Sequence, residues 1–488
     1  MKTCILPLDS RPCSYNFVKD LAAIKGFECV LPPRSIMDYF REASCFTKIS
    51  QWLFDNAIDC DALVLSIDQL LFGSLLASRQ NSITLNTALE RLYILEKLKT
   101  ANPKLKIFAF NVLMRTTIST INMETKVWWE AVGEYSRYTH IVQLDKTNTS
   151  IIKKLEELEA TIPEKILKEF LLVRKRNHEV NKECINLVSR GVMEYLLILQ
   201  EDCSEFGMHK SEQKLLLDML EKEQLHDRVV LHNGTDEAVT ELFARAVSDK
   251  PLPIKIKWLG PHNDFIALFE DRPFIYNLKS HLGTVNIIED DSSDILLIIY
   301  PPRDKQGDYC ADSKELQTAC YSAQEIEAFA KTIASEVNNG KKCFILDIAF
   351  ANGGDINLLQ CLTKYIDIGD LYGYSGWNTA SNALGTILSQ MVLSGEENNN
   401  HNRRFTYSRI LDDVLYQGVI RRRLNKKLID CGDDPWHIMD KEQADKFLNE
   451  EIMDFKSLIM ELIPRFFLDF NLSFYWPRTF EINIDIKE

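Results

Sequence analysis

Residues 62–67 read Ala-Leu-Val-Leu-Ser-Ile, and Asp68 follows them directly. A short apolar run of this length predicts a β-strand buried on both faces. Similar runs recur along the chain and are separated by longer segments of helical period, which predicts mostly parallel sheets with helices on both faces. The fold class is therefore α/β, built from Rossmann-like units, with a helical C-terminal region. The other predicted strands lie at residues 4–8, 27–31, 107–112, 195–199, 229–232, 254–258, 295–300 and 344–348.

Helical segments are predicted at residues 85–99, 236–247 and 322–338. A long helical tract at 150–190 is interrupted near Pro163, which suits the first turn of a second helix, and we interpret it as an inserted helical hairpin. Composition changes near residues 249–253 and 396–404. These changes predict three regions: an N-terminal α/β domain at 1–250 with the insertion near 150–190, a second α/β domain at 251–395, and a helical region at 396–488 with a final strand.

The chain has 488 residues, with 57 Lys and Arg against 71 Asp and Glu, and a net charge of -14. An acidic surface repels phosphate backbones, and the only dense basic runs lie at 421–423 and 426–427, so we expect no nucleic-acid partner. Hydrophobic residues make up 45% of the chain, which is enough to bury sizeable cores and excludes disorder.

The N-terminus has neither the basic start nor the long apolar core of a signal peptide. The longest apolar stretch, at 63–77, is interrupted by polar residues and is shorter than the roughly 20 residues of a membrane helix, so no membrane partner is expected. Twelve cysteines are scattered without a C-x-x-C pair, which favours reduced thiols and a cytoplasmic protein. The oligomeric state is not predicted.

Polar residues follow most of the predicted strands. In parallel sheets the loops at the carboxyl ends of the strands line one crevice, where ligands bind, so we expect these residues to share a site. The candidate residues are Asp9, Arg11, Asp68, Arg79, Arg115, Asp202, His209, Asp236, Glu237, Asn352, Asp355, Trp377 and Asn378.

Structural roles compete with this interpretation. Asp236 and Asp355 are suited to capping helices, and the glycines after Asn352 are typical of a tight turn. Arg11 and Arg79 can equally be the partners of buried carboxylates.

Clustered carboxylates supply general acids and bases, arginines bind substrate oxygens, and Trp377 offers a flat face for a sugar ring. The sequence therefore favours a carbohydrate-active enzyme with a small-molecule or oligosaccharide substrate, most simply a glycoside hydrolase whose catalytic residues come from Asp68, Asp202 and Asp236. Two alternatives remain open: a metal-dependent hydrolase or isomerase acting on a small polar metabolite, and a non-catalytic sugar-binding protein.

The usual nucleotide motifs are absent, since there is no G-x-x-x-x-G-K-[ST] and no G-x-G-x-x-G. There is also no H-E-x-x-H. We therefore expect no cofactor and no bound metal, although Asp9, Asp68, Asp202 and His209 have the chemistry of a metal site.

Ten short runs of this sequence resemble a bacterial family filed as domain of unknown function 4127. The resemblance covers nearly the whole chain in order and implies no established reaction. Glu201 stands where the family pattern has Asp, which argues against a strict catalytic role for position 201. The matching runs are 6–12, 66–68, 77–79, 114–115, 200–202, 234–237, 270–273, 352–355, 376–379 and 476–481.

Overall fold

The structure is a computed structural model that describes residues 1–119, 123–261, 265–310, 320–463 and 469–486. It divides into two compact units. The first comprises residues 1–10, 28–242 and 269–280, and the second comprises residues 11–27, 243–268 and 281–488.

The first unit is built on a six-stranded sheet in which every pair of neighbours is parallel. The order of its strands is β2-β1-β3-β4-β5-β6. The inner strands β4 and β5 are apolar nearly throughout and buried, as expected of strands covered by helices on both faces. The strands are β1 (Lys2–Leu6), β2 (Glu28–Val30), β3 (Ala62–Ser66), β4 (Lys106–Leu113), β5 (Tyr195–Gln200) and β6 (Val229–Asn233).

The second unit has a five-stranded parallel sheet in the order β13-β11-β9-β7-β8. A short parallel pair, β10 with β12, and an antiparallel pair, β14 with β15, complete its strands within the described residues. The strands are β7 (Leu252–Trp258), β8 (Ile287–Glu289), β9 (Ile295–Tyr300), β10 (Gly307–Asp308), β11 (Lys342–Asp347), β12 (Phe350–Ala351), β13 (Gly373–Ser375), β14 (Phe470–Phe474) and β15 (Ile482–Ile486).

Both large sheets begin with the same doubly wound order. When the strands of each sheet are counted along the chain, both read 2-1-3-4-5, and β6 extends the first sheet by one strand. The predicted α/β fold is confirmed, and all nine strands predicted in the sheets lie within two residues of their observed limits. The shared topology was not visible in the sequence, which contains no internal repeat.

Helices cover the sheets and form most of residues 396–488. A π-helical segment, Ile410–Ile420, joins two of them, and short 3-10 turns lie at Arg34–Ile36 and Ile368–Asp370. The α-helices are Pro12–Ile24, Phe46–Ala57, Ile67–Phe72, Leu75–Ser78, Leu85–Leu92, Ile94–Ala101, Met123–Leu144, Thr149–Thr161, Glu164–Ser189, His209–Glu223, Ala238–Val247, Phe274–Thr284, Ala323–Asn338, Ile356–Leu362, Ala380–Leu393, Asn400–Arg409, Arg421–Asp430, Lys441–Asp454 and Lys456–Leu462.

Two segments differ from the predicted organisation. The helix Glu164–Ser189 starts directly after Pro163, as expected, but it packs on β4 and β5, and its apolar face joins the core through Val180 and Val188. It is therefore a crossover helix of the sheet and not part of an inserted hairpin. Residues 396–488 belong to the second unit because the helix Asn400–Arg409 packs against β13.

All twelve cysteines are free thiols, and most are buried. Within the described ranges, no helix combines the length and the hydropathy that crossing a bilayer requires. The helix Ala323–Asn338 begins as predicted: the Ser322 hydroxyl accepts a hydrogen bond from the Glu325 N–H, and the Glu325 carboxylate accepts one from the Ser322 N–H.

Candidate functional site

The predicted site residues divide between the two parallel sheets. Those of the first unit follow β1, β3, β4, β5 and β6, whereas the others belong to the second unit. The first group contains Asp9, Asp68, Arg79, Arg115, Asp202, His209, Asp236 and Glu237, and the second contains Arg11, Asn352, Asp355, Trp377 and Asn378.

Asp68 lies inside the first unit and is fully buried. Its Oδ2 accepts a hydrogen bond of 2.9 Å from the backbone N–H of Val112 in β4. Burial raises the pKa of this carboxyl to about 6, against the opposing effect of the Val112 N–H and the Ser78 hydroxyl. These contacts indicate that Asp68 holds β4 to the segment after β3. Because protein atoms enclose this carboxyl, a substrate cannot reach it from solvent.

The arginines predicted to bind substrate oxygens are already paired with carboxylates. Arg79 forms a buried ion pair with Glu201. Arg115 pairs with Asp202 and also lies 3.9 Å from Glu201. Asp202 is the most accessible member of this chain of charges, with 37% of its side chain exposed. Glu201 therefore neutralises buried arginine charge, which explains why a carboxylate stands at this position.

Cys203, His209 and Asp271 form one cluster of groups that can bind a metal, with ligand atoms all within 4.8 Å of one another. Asp271 already accepts hydrogen bonds of 2.8 Å from Lys210 Nζ and from Gln213 Nε2. Burial alone would raise the pKa of Asp271, but the His209 ring and the charges of its neighbours hold that pKa well below its usual range. Lys210 and Gln213 therefore already satisfy the Asp271 carboxylate, although both ring nitrogens of His209 are buried without a hydrogen-bond partner among the described residues.

A second cluster lies at the end of β6 and includes three residues of the first unit, His232, Glu237 and Glu241, whose ligand atoms also lie within 4.8 Å of one another. All three side chains are buried. The Asn233 carbonyl lies 2.7 Å from His232 Nδ1, so this nitrogen is the donor. His232 Nε2 lies 3.6 Å from Glu241 Oε2.

The carboxylate of Glu237 is held by the turn that precedes it. Its Oε2 accepts a hydrogen bond of 2.8 Å from the Thr235 N–H. Its Oε1 is buried and has no hydrogen-bond partner in the described part of the chain. The turn needs a glycine at position 234, because φ there is +117° and a Cβ would lie 1.7 Å from Glu237 Oε1.

Burial dominates the electrostatics of this second cluster. It raises the pKa of Glu237 well above its usual range, and the nearby charge of Glu241 adds to the effect. Burial also raises the pKa of Glu241 to about 8, while His232 opposes the shift. Carboxyls with pKa values raised in this way hold their protons when no cation is near, and a bound cation would displace those protons.

The second-unit residues form turns at the carboxyl ends of β11 and β13. Asp355 caps the helix Ile356–Leu362 and accepts a hydrogen bond of 2.9 Å from the Tyr300 hydroxyl. Asn352 and Asn378 both have positive φ, and the Asn352 N–H donates to the Asn378 carbonyl at 2.7 Å. Capping and turn formation, the competing interpretations, thus describe what Asn352, Asp355 and Asn378 do in the structure.

Trp377 is 2% exposed, and its ring packs against Phe480 with centroids 5.6 Å apart. This face is covered by protein, so it is not the open platform for a sugar ring that we expected. Arg11 is also buried, and it lies 3.5 Å from the Glu481 carboxylate and beside the Trp476 ring.

Sequence reasoning missed Glu241, Asp271 and the role of His232. Glu241 was detectable in principle, because it lies four residues after Glu237, a spacing that puts two side chains on one helical face. Asp271 lies in one of the runs that resemble the family, 270–273, but no local pattern links it to His209, which is 62 positions away in the sequence.

We predict that the Asp68→Asn variant has a weaker dependence of stability on pH. The folded-state pKa of about 6 lies above that of an unfolded Asp, so the native state retains an extra proton. The stabilisation is complete below about pH 4 and is lost as pH rises through about 6, a change of roughly 2–3 kcal/mol. Urea unfolding of both proteins at pH 4 and pH 7.5 measures most of this change. Equal pH dependence in the two proteins would contradict the assignment.

A second prediction concerns Gly234. Gly191 also has positive φ, +74°, but nothing lies within 4 Å of its missing Cβ. Gly191→Ala should therefore cost only backbone strain, about 1–2 kcal/mol, whereas Gly234→Ala should cost about 1–3 kcal/mol more because it also displaces Glu237. Chemical denaturation of the two variants tests this. Similar losses would show that the Glu237 carboxylate is not fixed against this turn.

The match to a family model extends over residues 3–485 of this chain. The family is described as a protein of unknown function, DUF4127. No curated protein and no solved structure matches the chain significantly. Since the match covers almost the entire sequence, the chain belongs to the DUF4127 family.

Proposed function

We propose that the protein is a metal-dependent hydrolase or isomerase that acts on a small polar metabolite, with a divalent cation bound by His232, Glu237 and Glu241. The observation that carries the proposal is the convergence of three buried side chains that can bind a metal, together with Glu237 Oε1, which has no hydrogen-bond partner among the described residues. A buried acceptor without a donor is costly, and a cation removes that cost.

The donor set suits a transition-metal ion such as Zn²⁺ or Mn²⁺. One imidazole nitrogen and two carboxylates are common ligands of both ions. Metal-binding histidines usually donate their other ring N–H to a carbonyl or carboxylate, and His232 Nδ1 does so to Asn233. When bound, such a cation polarises a substrate oxygen or lowers the pKa of a bound water.

The chain also holds this strand end in place. Asn277 Nδ2 donates to Asn233 Oδ1 at 3.0 Å and to Glu270 Oε2 at 2.7 Å. The Asn233 amide in turn lies 3.5 Å from Cys203 Sγ. Asn233 supplies the carbonyl that fixes the His232 tautomer, so this network positions the imidazole as a ligand.

We predict that purified protein contains a stoichiometric divalent metal by inductively coupled plasma mass spectrometry. Glu237→Gln should lose the metal, because an amide is a poor substitute for a carboxylate ligand. His209→Gln is the matched control, since it removes a possible ligand from the other cluster and should leave the metal in place. Metal lost only from the His209 variant would assign the metal to that other cluster, and metal-free wild-type protein that does not take up Zn²⁺ or Mn²⁺ would refute the proposal.

Glycoside hydrolysis is a second candidate, favoured by one observation. Asp202 offers a carboxylate that is both exposed and held by Arg115, as a sugar-binding acid needs to be. Asp68 and Asp236, its predicted partners, are buried.

The two candidates differ in their response to a chelator. If the glycosidase proposal is right, a panel of aryl glycosides will contain a substrate whose hydrolysis survives EDTA and falls at least about 100-fold in Asp202→Asn. Asp202→Glu is the matched variant that keeps the charge. Activity that EDTA abolishes and Zn²⁺ or Mn²⁺ restores would instead support the metal-dependent enzyme.

A further inference from the structure

The helix Arg421–Asp430 carries five basic residues, and two of them are neutralised by a neighbouring helix. Arg423 pairs with Glu451 at 2.7 Å and with Asp454 at 3.0 Å. Lys427 pairs with Glu451 at 2.8 Å and with Glu450 at 3.1 Å. One side of the helix is thus neutralised by an ion-pair network centred on the buried Glu451.

The other three basic residues, Arg421, Arg422 and Lys426, line a cavity of about 320 Å³. In the part of the chain that the structure describes, no carboxylate lies within ion-pairing distance, 4.0 Å, of any of them. Three positive charges on a protein of net charge -14 therefore line one open cavity, and none of them forms an ion pair with a carboxylate of the described residues.

Of the three residues, Arg421 gives the strongest evidence for an anion-binding site. It is 2% exposed, and its Nε is buried without a hydrogen-bond partner in the described residues. Its Nη2 lies 2.9 Å from Cys310 Sγ, and a thiol is only a weak acceptor. The guanidinium also lies over the Phe480 ring, 5.0 Å from its centroid. Because an arginine stays charged when buried and this one forms no ion pair among the described residues, an anion would be a suitable further partner.

Aromatic rings form another wall of the same cavity. Trp436 and Phe480 are stacked, with centroids 5.9 Å apart and an interplanar angle of 23°. Trp436 is 49% exposed, so much of its ring surface is accessible. An indole surface beside arginines is the combination that binds a planar ring attached to an anionic group.

We propose that this cavity is a second ligand site, for a phosphate monoester that carries a planar heterocycle, such as a nucleoside monophosphate. Arginine and lysine bind phosphate oxygens, and stacking on Trp436 holds the ring. The cavity is at the small end of the range for small-molecule sites, about 300–1,000 Å³, and its charge is confined to one pocket, which favours a small ligand over a nucleic acid. The site is independent of the cation cluster in the first unit.

Isothermal titration calorimetry of the full chain with adenosine 5′-monophosphate, inorganic phosphate and adenosine tests the proposal. We expect the monophosphate to bind about 10-fold or more tightly than phosphate, since base stacking on an aromatic ring has an effect of that size. Adenosine should bind more weakly than the monophosphate. Trp436→Ala should reduce binding of the monophosphate but not of phosphate.

Arg422→Gln combined with Lys426→Gln should weaken the monophosphate at least about 10-fold. Arg423→Gln is the matched control on the same helix, because Lys427 still neutralises Glu451 in that variant, and its affinity should stay unchanged. Failure of the wild-type protein to bind the monophosphate would overturn the proposal, as would equal affinity in the two variants. If a single-stranded oligoribonucleotide binds more tightly than the monophosphate, the proposal of a small ligand is wrong and the site binds a nucleic acid.

Discussion

In each of the two large sheets, every strand runs parallel to its neighbours, and the rest of the structure depends on this constraint. Parallel strands need long crossovers, so helices cover the faces of each sheet and leave its strands buried. The carboxyl ends of the strands then meet along one edge, where the chain must turn out of the sheet. Polar groups at that edge are needed wherever the turning backbone is shielded from water.

Several buried carboxylates meet that need. Asp68 accepts from the backbone of β4, Asp347 accepts from the Asp355 N–H at 2.7 Å, and Asp413 accepts from the Gly376 N–H at 2.8 Å. Burial raises the pKa of both Asp347 and Asp413 to about 7. A high density of acids at strand ends is therefore partly an architectural feature of this protein. An acid is a good candidate for a catalytic or ligand-binding role only if structural hydrogen bonds do not already satisfy its carboxylate.

Two places among the described residues combine a buried atom that has no hydrogen-bond partner with neighbouring groups of similar chemistry, and these two places are opposite in charge. Glu237 places a buried carboxylate oxygen without a donor beside His232 and Glu241 in the first unit. Arg421 places a buried guanidinium beside Arg422 and Lys426 in the second unit. The first arrangement calls for a cation and the second for an anion. By contrast, the cluster around Asp271 has the ligand types of a metal site, but Lys210 already supplies its positive charge.

Sequence alone determined the α/β class, the positions of the main strands and the family resemblance. Apolar runs such as residues 62–67 depend only on local composition, and their burial follows from it. Sequence also placed Glu237 among the candidate residues. Only the tertiary structure could show that Asp68 is enclosed, that Trp377 packs against Phe480, and that Arg79 is paired with Glu201. Each of these facts depends on contacts between segments far apart in the chain, and local pattern carries no information about which distant side chain will satisfy a buried charge.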